Sequence, residues 1–423
     1  MLPKKKLGRK LFIFGMILFP LFISLYIVSI NSNKLIKSFL SIPILLIACF
    51  SFVMVVFGII FYFTGKDKLK HRFKKPAIAL FFIFISAYTI GGFGVVYKLY
   101  FSGNEFKEWL ITTAMTTLSH QYLATWFYDD YDVSVVLAHN TVIESAEDTN
   151  VDLINFTEID FNKTSYASEW EKQILTKNEG NDVYKVIDID EKNGKGQPIK
   201  GKLAIVYDPS KVKIGVSKGL GTNVDTAYGQ MINEIASRYN AVLATNAGGF
   251  IDPDWNSWGG VPHGITISEG KLVSDNYKAP VGGGVVGFTN DNKLVLARVS
   301  SREALNMGIR DCVDFGPFLI VNGKSSYING NGGWGQAPRT AIGQRADGIV
   351  LLLVIDGRQT ASVGADMNDL TEIMLRYGAI NAANMDGGTS SAMELNGQII
   401  SNPRNGSFAA STRPVPNAWI VVE

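Results

Sequence analysis

The chain has 423 residues, with 40 Lys plus Arg against 38 Asp plus Glu, and two cysteines. Fourteen of the basic residues but a single acid, Asp67, fall in the first 101, which leaves 26 basic and 37 acidic residues, a net of −11, from Ser102 onward. That acidic remainder lacks the basic footprint that nucleic-acid binding needs, and its lone cysteine, Cys312, excludes an internal disulfide scaffold.

Residues 1–101 read as a membrane anchor. Three apolar runs, residues 11–30, 39–63 and 77–100, are each long enough for a helix to cross about 30 Å of hydrocarbon. Basic residues cluster before the first run (Lys4, Lys5, Lys6, Arg9, Lys10) and after the second (Lys66 to Lys75). The positive-inside rule then predicts a multi-pass protein of the cell membrane with a cytoplasmic N-terminus, an extracytoplasmic C-terminal domain and the lipid bilayer as a partner.

Residues 102–200 read as an amphipathic helix, Phe106–Tyr128, followed by a connector or peripheral region that includes a β-rich patch at Val133–Ala138. From residue 201 to 423, short β-rich runs alternate with Gly, Asn and Asp turns, among them LAIVY at Leu203–Tyr207 and GIVLLLVIDG at Gly348–Gly357. Two helices stand out, Tyr228–Tyr239 and Met367–Tyr377. The expected fold class is α+β: a strand-rich mixed sheet domain with a few packed helices, preceded by three transmembrane α-helices.

The two helices lead into an internal pseudo-repeat. Glu234-Ile-Ala-Ser-Arg-Tyr-Asn-Ala-Val-Leu-Ala-Thr-Asn246 aligns with Glu372-Ile-Met-Leu-Arg-Tyr-Gly-Ala-Ile-Asn-Ala-Ala-Asn384. Each copy then runs into a glycine pair, Gly248-Gly249 or Gly387-Gly388. Two helix–turn–strand units would each deliver a Gly-rich loop at a strand end, where glycine lets a backbone approach a ligand closely. Asn246 and Asp386 thereby become candidates to face one another.

The second loop, Asn384-Met-Asp-Gly-Gly-Thr-Ser-Ser391, is the richest in chemistry: one acid, two glycines and three hydroxyls, including Ser390 and Ser391. Arg339-Thr340, Asp356-Gly-Arg358 and Arg413 come from separate segments, and guanidinium groups that converge grip phosphate oxygens with paired hydrogen bonds. Other patterns carry less. Gly282-Gly-Gly-Val-Val-Gly287 is followed by strand-like sequence rather than the helix a dinucleotide site requires. The four histidines form no zinc-binding pair, although His263, in a Gly-Pro-rich turn, is a candidate proton shuttle or turn residue.

Taken together, Asn246-Ala-Gly-Gly-Phe250, Pro262 and Gly264, Gly316-Pro317, Arg339-Thr-Ala-Ile-Gly343, Asp356-Gly-Arg358, Ser362 with Gly364, Met385-Asp-Gly-Gly-Thr-Ser-Ser391, Arg413 and Asn417 resemble, in order, the phosphodiester glycosidase family. Thr389 departs from the small residue expected there. The apolar N-terminal region is similar to that of membrane-anchored bacterial members rather than to the family's lysosomal enzyme.

The resemblance implies hydrolysis of a sugar-1-phosphodiester at the anomeric carbon, in a phosphate-containing glycan of the cell surface or exopolysaccharide type. Asp386 is the expected catalytic carboxylate, and Asp356 the acid/base or the group that orients Arg358. Asn246, Gly248, Gly249, His263, Arg339, Thr340, Arg358, Gly387, Gly388, Ser390, Ser391 and Arg413 are the expected substrate-binding residues. No metal or other cofactor is called for. The alternatives are a non-catalytic phospho-glycan-binding module or a membrane protein of polysaccharide assembly.

Overall fold

The computed structural model describes residues 4–31, 48, 51–52, 55, 104–117, 120–176, 183–253, 257–276, 283–406 and 409–423. Contacts divide the chain into two units, 1–115 with 120–138, and 116–119 with 139–423.

The first unit holds α1 (Lys4–Asn31), α2 (Asn104–Thr116), α3 (Tyr122–Thr125) and α4 (Asp130–His139). The single helix expected over Phe106–Tyr128 is therefore two. The expected β patch at Val133–Ala138 is also helical. Val133 and Val136, three apart on a helix face, bury with Ile111, Ala114 and Tyr128, while Asp130 and Asp132 sit in the first turn, where the helix dipole favours acids. Tertiary burial has overridden β propensity here.

Among the described residues no helix is long and apolar enough to cross a membrane. This corrects the expected three-span anchor, and with it the multi-pass membrane location and the bilayer partner. The physical reason is that hydropathy registers the composition of a run, whereas a span is a property of a whole helix, its length and apolarity together. The run at 11–30 falls within α1, which contains Pro20, a residue that removes a ladder hydrogen bond. Its Gly15 approaches Ser51 and Val55 so closely that a Cβ would clash. The runs at 39–63 and 77–100 lie outside the described residues, apart from Ala48, Ser51, Phe52 and Val55.

The second unit carries the strands. In chain order they are β1 (Val142–Ile143), β2 (Tyr184–Lys192), β3 (Pro198–Val206), β4 (Val212–Val216), β5 (Ala241–Asn246), β6 (Gly264–Ser268), β7 (Lys271–Asn276), β8 (Gly284–Thr289), β9 (Leu294–Ala297) and β10 (Ile309–Phe315). They continue with β11 (Phe318–Val321), β12 (Lys324–Ser325), β13 (Tyr327–Ile328), β14 (Arg339–Arg345), β15 (Val350–Ile355), β16 (Ala379–Met385), β17 (Met393–Leu395), β18 (Gln398–Ile399) and β19 (Asn417–Val422). The helices are α5 (Glu169–Leu175), α6 (Ile232–Arg238), α7 (Ser301–Asn306) and α8 (Met367–Arg376).

A seven-stranded sheet runs β12-β11-β16-β14-β15-β3-β2. Two five-stranded sheets run β18-β17-β5-β19-β4 and β7-β6-β10-β8-β9. The strand-rich α+β character agrees with the alternating runs in the sequence.

One core lies where the three sheets meet: Val206, Ile342, Leu352 and Met385 bury with Leu243, Trp419, Val286 and Phe288. The other face of the seven-stranded sheet is covered by α5 and α8, so Leu351 and Leu353 pack with Ile174, Leu370, Ile373 and Met374. Burial on both faces explains why β15 is an uninterrupted apolar run. α6 covers β5 and β19 through Ile232 and Ile235.

The pseudo-repeat is physical. α6 leads to β5, α8 to β16, and the turn between them uses a left-handed residue at the same aligned position: Asn240 at φ 51° and Gly378 at φ 83°. Left-handed Gly or Asn is the ordinary stop for a helix. The two units lie on different sheets. The ends of β5 and β16 still come together, because the Asp386 N–H donates to the Ala247 carbonyl at 3.0 Å.

Candidate active site

Strand ends build the site. β5, β15 and β16 run out into it with Asn246, Asp356 and Asp386, while β14 and β19 begin there with Arg339 and Asn417. Pairing fixes the register: Thr340 lies opposite Met385, Arg339 opposite Ile355, and Asn246 opposite Ala418.

Asn246 is the bracket. Its Nδ2 donates to the Asp386 carbonyl at 2.6 Å, and its Oδ1 accepts from Thr340 Oγ1 at 2.7 Å and from the Ala392 N–H at 3.2 Å. Asn246 and Thr340 are both buried, so the structure commits these side chains to one another. Gly248 donates its N–H to Asn417 Oδ1 at 2.8 Å. Gly249 leaves room for Phe315 and His263, whose ring atoms lie 2.6 and 3.3 Å from where a Cβ would be. The His263 N–H donates to the Gly249 carbonyl at 2.9 Å. Among the described residues its Nδ1 is buried without a partner, and burial pushes the ring below its usual pKa.

Asp386 retains a partly open surface, yet burial of its carboxyl raises its pKa to about 6. Hydrogen bonds from the Ser390 hydroxyl and the Gly387 N–H, together with the charge of Arg413, act in the opposite direction, and Asp252 adds to the rise. Ser391 lies beyond the 3₁₀ turn Gly388–Ser390, with its buried hydroxyl unpartnered among the described residues.

The three arginines differ. Arg413 forms an ion pair with Asp252 at 2.5 Å, and its guanidinium lies 4.4 Å from the centroid of the Phe250 ring. Arg339 is 3% exposed. It donates from Nε to the Ala365 carbonyl at 3.1 Å, and from Nη2 to the carbonyls of Gly335, at 2.8 Å, and Trp334. Burial lowers its pKa to about 10, and the charges of Asp366, Arg358 and Asp386 all reach it. Arg358 donates from Nη1 to Thr389 Oγ1 at 3.1 Å and to the Arg404 carbonyl at 3.0 Å. Burial lowers its pKa too. Its backbone sits at φ 60°, a strained setting for a residue with a side chain.

Among the described residues no carboxylate forms an ion pair with Arg339 or Arg358; Arg413 alone of the three has one. The glycine pair after Asp386 lies against both. A Cβ on Gly387 would come within 3.4 Å of Arg339 Nη1, and one on Gly388, at φ +63°, within 3.1 Å of Arg358 Nη2. The lack of side chains at these glycines therefore leaves Arg339 Nη1 and Arg358 Nη2 uncrowded where they border the Asp386 loop.

Asp356 is placed differently. Its Oδ1 accepts the Asn402 N–H at 2.7 Å, and its carbonyl accepts from Ser362 Oγ at 2.7 Å. Burial raises its pKa against the pull of Lys202 and Arg404. The structure thus turns it to the Asn402–Arg404 loop, whereas the second carboxylate acting on Asp386 is Asp252. Sequence reasoning passed over Asp252; the signal that points to it is an acid three residues beyond Gly249, in the repeat opposite Asp386. No three metal-ligating side chains gather among the described residues.

Residues 239–422 match the family model described as phosphodiester glycosidase. The chain is 31% identical to the SPbeta prophage-derived uncharacterized protein YomE of Bacillus subtilis over 189 residues, 43% of this chain and 28% of that one. It is also 31% identical to the N-acetylglucosamine-1-phosphodiester alpha-N-acetylglucosaminidase of Homo sapiens over 156 residues, 32% of this chain and 30% of that one. The chain therefore spans less than a third of the length of these two curated relatives. Among solved structures, the zebrafish N-acetylglucosamine-1-phosphodiester alpha-N-acetylglucosaminidase catalytic domain, auto-inhibited by its pro-peptide, superposes with a TM-score of 0.49 at 23% identity, covering 58% of this chain and 85% of that one.

Proposed function

We propose that this chain hydrolyses a glycosyl phosphodiester, breaking the bond between an anomeric carbon and a phosphate oxygen in a phosphate-containing glycan of the cell-surface or exopolysaccharide type. The observation that carries this reading is two guanidinium groups, Arg339 buried and Arg358 half-buried, unpaired with any carboxylate among the described residues and flanking the Asp386 loop. A buried charge without a counter-ion is costly. A site that keeps two such guanidinium groups is suited to an anion supplied by the substrate, and a phosphodiester has the right charge and oxygen geometry.

The chemistry follows from the arrangement. As the bond lengthens, positive charge builds on the sugar ring and negative charge on the departing phosphate. The ionised Asp386 carboxylate faces the first, either stabilising it or attacking the anomeric carbon. The arginines face the second. Water supplies the hydroxyl that ends on the anomeric carbon; its proton passes to solvent, and a phosphate monoester leaves. A phosphate is already a good leaving group, so the reaction asks little of a general acid. The likeness to enzymes named for N-acetylglucosamine-1-phosphodiesters supports this class of substrate.

Incubating the protein with sugar-1-phosphate diesters, and measuring free sugar and phosphate monoester together, tests the reading. Release by the wild type with none by Asp386→Asn is the expected result. Tight binding of the diester by the wild type without release would make the domain a phospho-glycan-binding module instead.

A further inference from the structure

A cleft of about 380 Å³ enters none of the steps above, and its size lies within the range of small-molecule sites, about 300–1,000 Å³. Asn140, Thr141, Glu144, Arg298, Pro317 and Trp334 are among the residues that line it. The wall contributed by residues 140–144 is pinned in place. β1 pairs with β13, and Asn140 Oδ1 accepts the Asn331 N–H at 3.0 Å. Glu144 gives one carboxylate oxygen to the Phe318 N–H at 2.7 Å and the other to Arg298. This wall precedes the 239–422 stretch that the family model matches.

The cleft borders the Asp386 site on its arginine side. Trp334 is common to both: its ring centroid lies 5.7 Å from the Arg339 guanidinium carbon, and its carbonyl accepts from Arg339 Nη2. Arg339 Nη1, in turn, lies beside Gly387. Pro317 is shared as well, because its carbonyl accepts the Asn384 N–H at 3.0 Å. No lining residue belongs to the Asp386 loop itself. A substrate that reaches from the site into the cleft therefore passes Arg339, on the leaving-group side of the phosphate.

The lining shows what would be held there. The charges of Arg298 and Glu144 satisfy each other, whereas Arg298 Nε, the Thr141 hydroxyl and the Trp334 indole N–H find no acceptor among the described residues. Donors around an aromatic ring suit a neutral ligand with one apolar face and many acceptors. A pyranose has both, its C–H bonds for the ring and its hydroxyls for the donors. Resting on the glycosidase reading, we propose that this cleft is a subsite for a neutral pyranose carried on the departing phosphate, so that sugar–phosphate–sugar linkages are favoured over diesters of a simple alcohol.

The experiment uses the full chain and two substrates: a sugar-1-phosphate esterified with methanol, and the same sugar-1-phosphate esterified with a second hexose. The wild type should favour the second about ten- to a hundred-fold in kcat/KM, chiefly through KM. Thr141→Val removes the hydroxyl and keeps the shape, and Trp334→Phe removes the indole N–H and keeps a ring. Each should lower the preference about three- to ten-fold. A wild type without the preference, or two folded variants that both retain it, overturns the proposal. An NMR titration of the Trp334 indole N–H with the methyl pyranosides of glucose, galactose, mannose and N-acetylglucosamine reads the cleft without turnover. A shift that Thr141→Val weakens, in a protein that releases no sugar from either diester, leaves the cleft standing and removes the enzyme reading. In such a protein, no shift with any of the pyranosides overturns the proposal.

Discussion

Replacing Asp386 with asparagine should move stability and turnover in opposite directions above pH 6. Burial raises the Asp386 carboxyl to about 6, roughly two pH units above the ordinary carboxylate, and each unit is worth about 1.4 kcal/mol. The upper bound on its cost when charged is thus ~3 kcal/mol. The partly open surface of the residue screens some of this, so about 1–2 kcal/mol at pH 8 is expected. The sign follows from proton uptake: the native state holds this proton more tightly than the unfolded chain does. Its stabilising effect is therefore complete below about pH 4 and lost as pH rises through about 6. Asparagine cannot ionise, and its Oδ1 still accepts from the Gly387 amide and Ser390. Urea unfolding should find Asp386→Asn more stable than the wild type by about 1–2 kcal/mol at pH 8 and near parity at pH 4, while hydrolysis falls by about three orders of magnitude. A variant destabilised at pH 8 that still turns over would show Asp386 to be half of a structural ion pair, and the reasoning would fail.

Arg358→Ala should raise KM for a sugar-1-phosphodiester by about ten- to a hundred-fold, the worth of a charge-assisted contact to phosphate. Thermal unfolding should show no loss of stability, because the change removes a half-buried charge. Gly388→Ala, at φ +63° and 3.1 Å from Arg358 Nη2, should cost about 1 kcal/mol in stability and lower affinity for the same substrate in a titration. Asn246→Ala strips partners from the Asp386 carbonyl, Thr340 and the Ala392 amide. Denaturant unfolding should report a loss of about 3–4 kcal/mol, and a loss below 1 kcal/mol would refute the bracket.

How much of this the residues announce depends on whether a feature is local. The helix–turn–strand repeat is written in adjacent letters, and a shared left-handed stop at Asn240 and Gly378 turns both copies back at the same place. Their meeting at Asn246 and Asp386 could be foreseen, because each loop is carried on a strand end. Partner choice could not, because three arginines look alike in a string. Arg339 spends Nε and Nη2 on carbonyls, Arg413 pairs with Asp252, and Arg358 gives Nη1 to Thr389 and the Arg404 carbonyl, with no carboxylate partner among the described residues. Asp356, two letters from Arg358, turns its carboxylate to Asn402, while Asp252, more than a hundred residues from Asp386, adds to the rise of its pKa. Apolar runs mislead in the same way, since hydropathy measures composition along a line while a membrane span is a property of a continuous helix. The glycine pair after Asp386 joins the two kinds of information. Its sequence says only that backbone must come close to something, and the structure says that the something is two guanidinium groups. A side chain at either position would crowd the arginines and leave the carboxylate in place, so binding and bond cleavage should be separable at Gly387-Gly388.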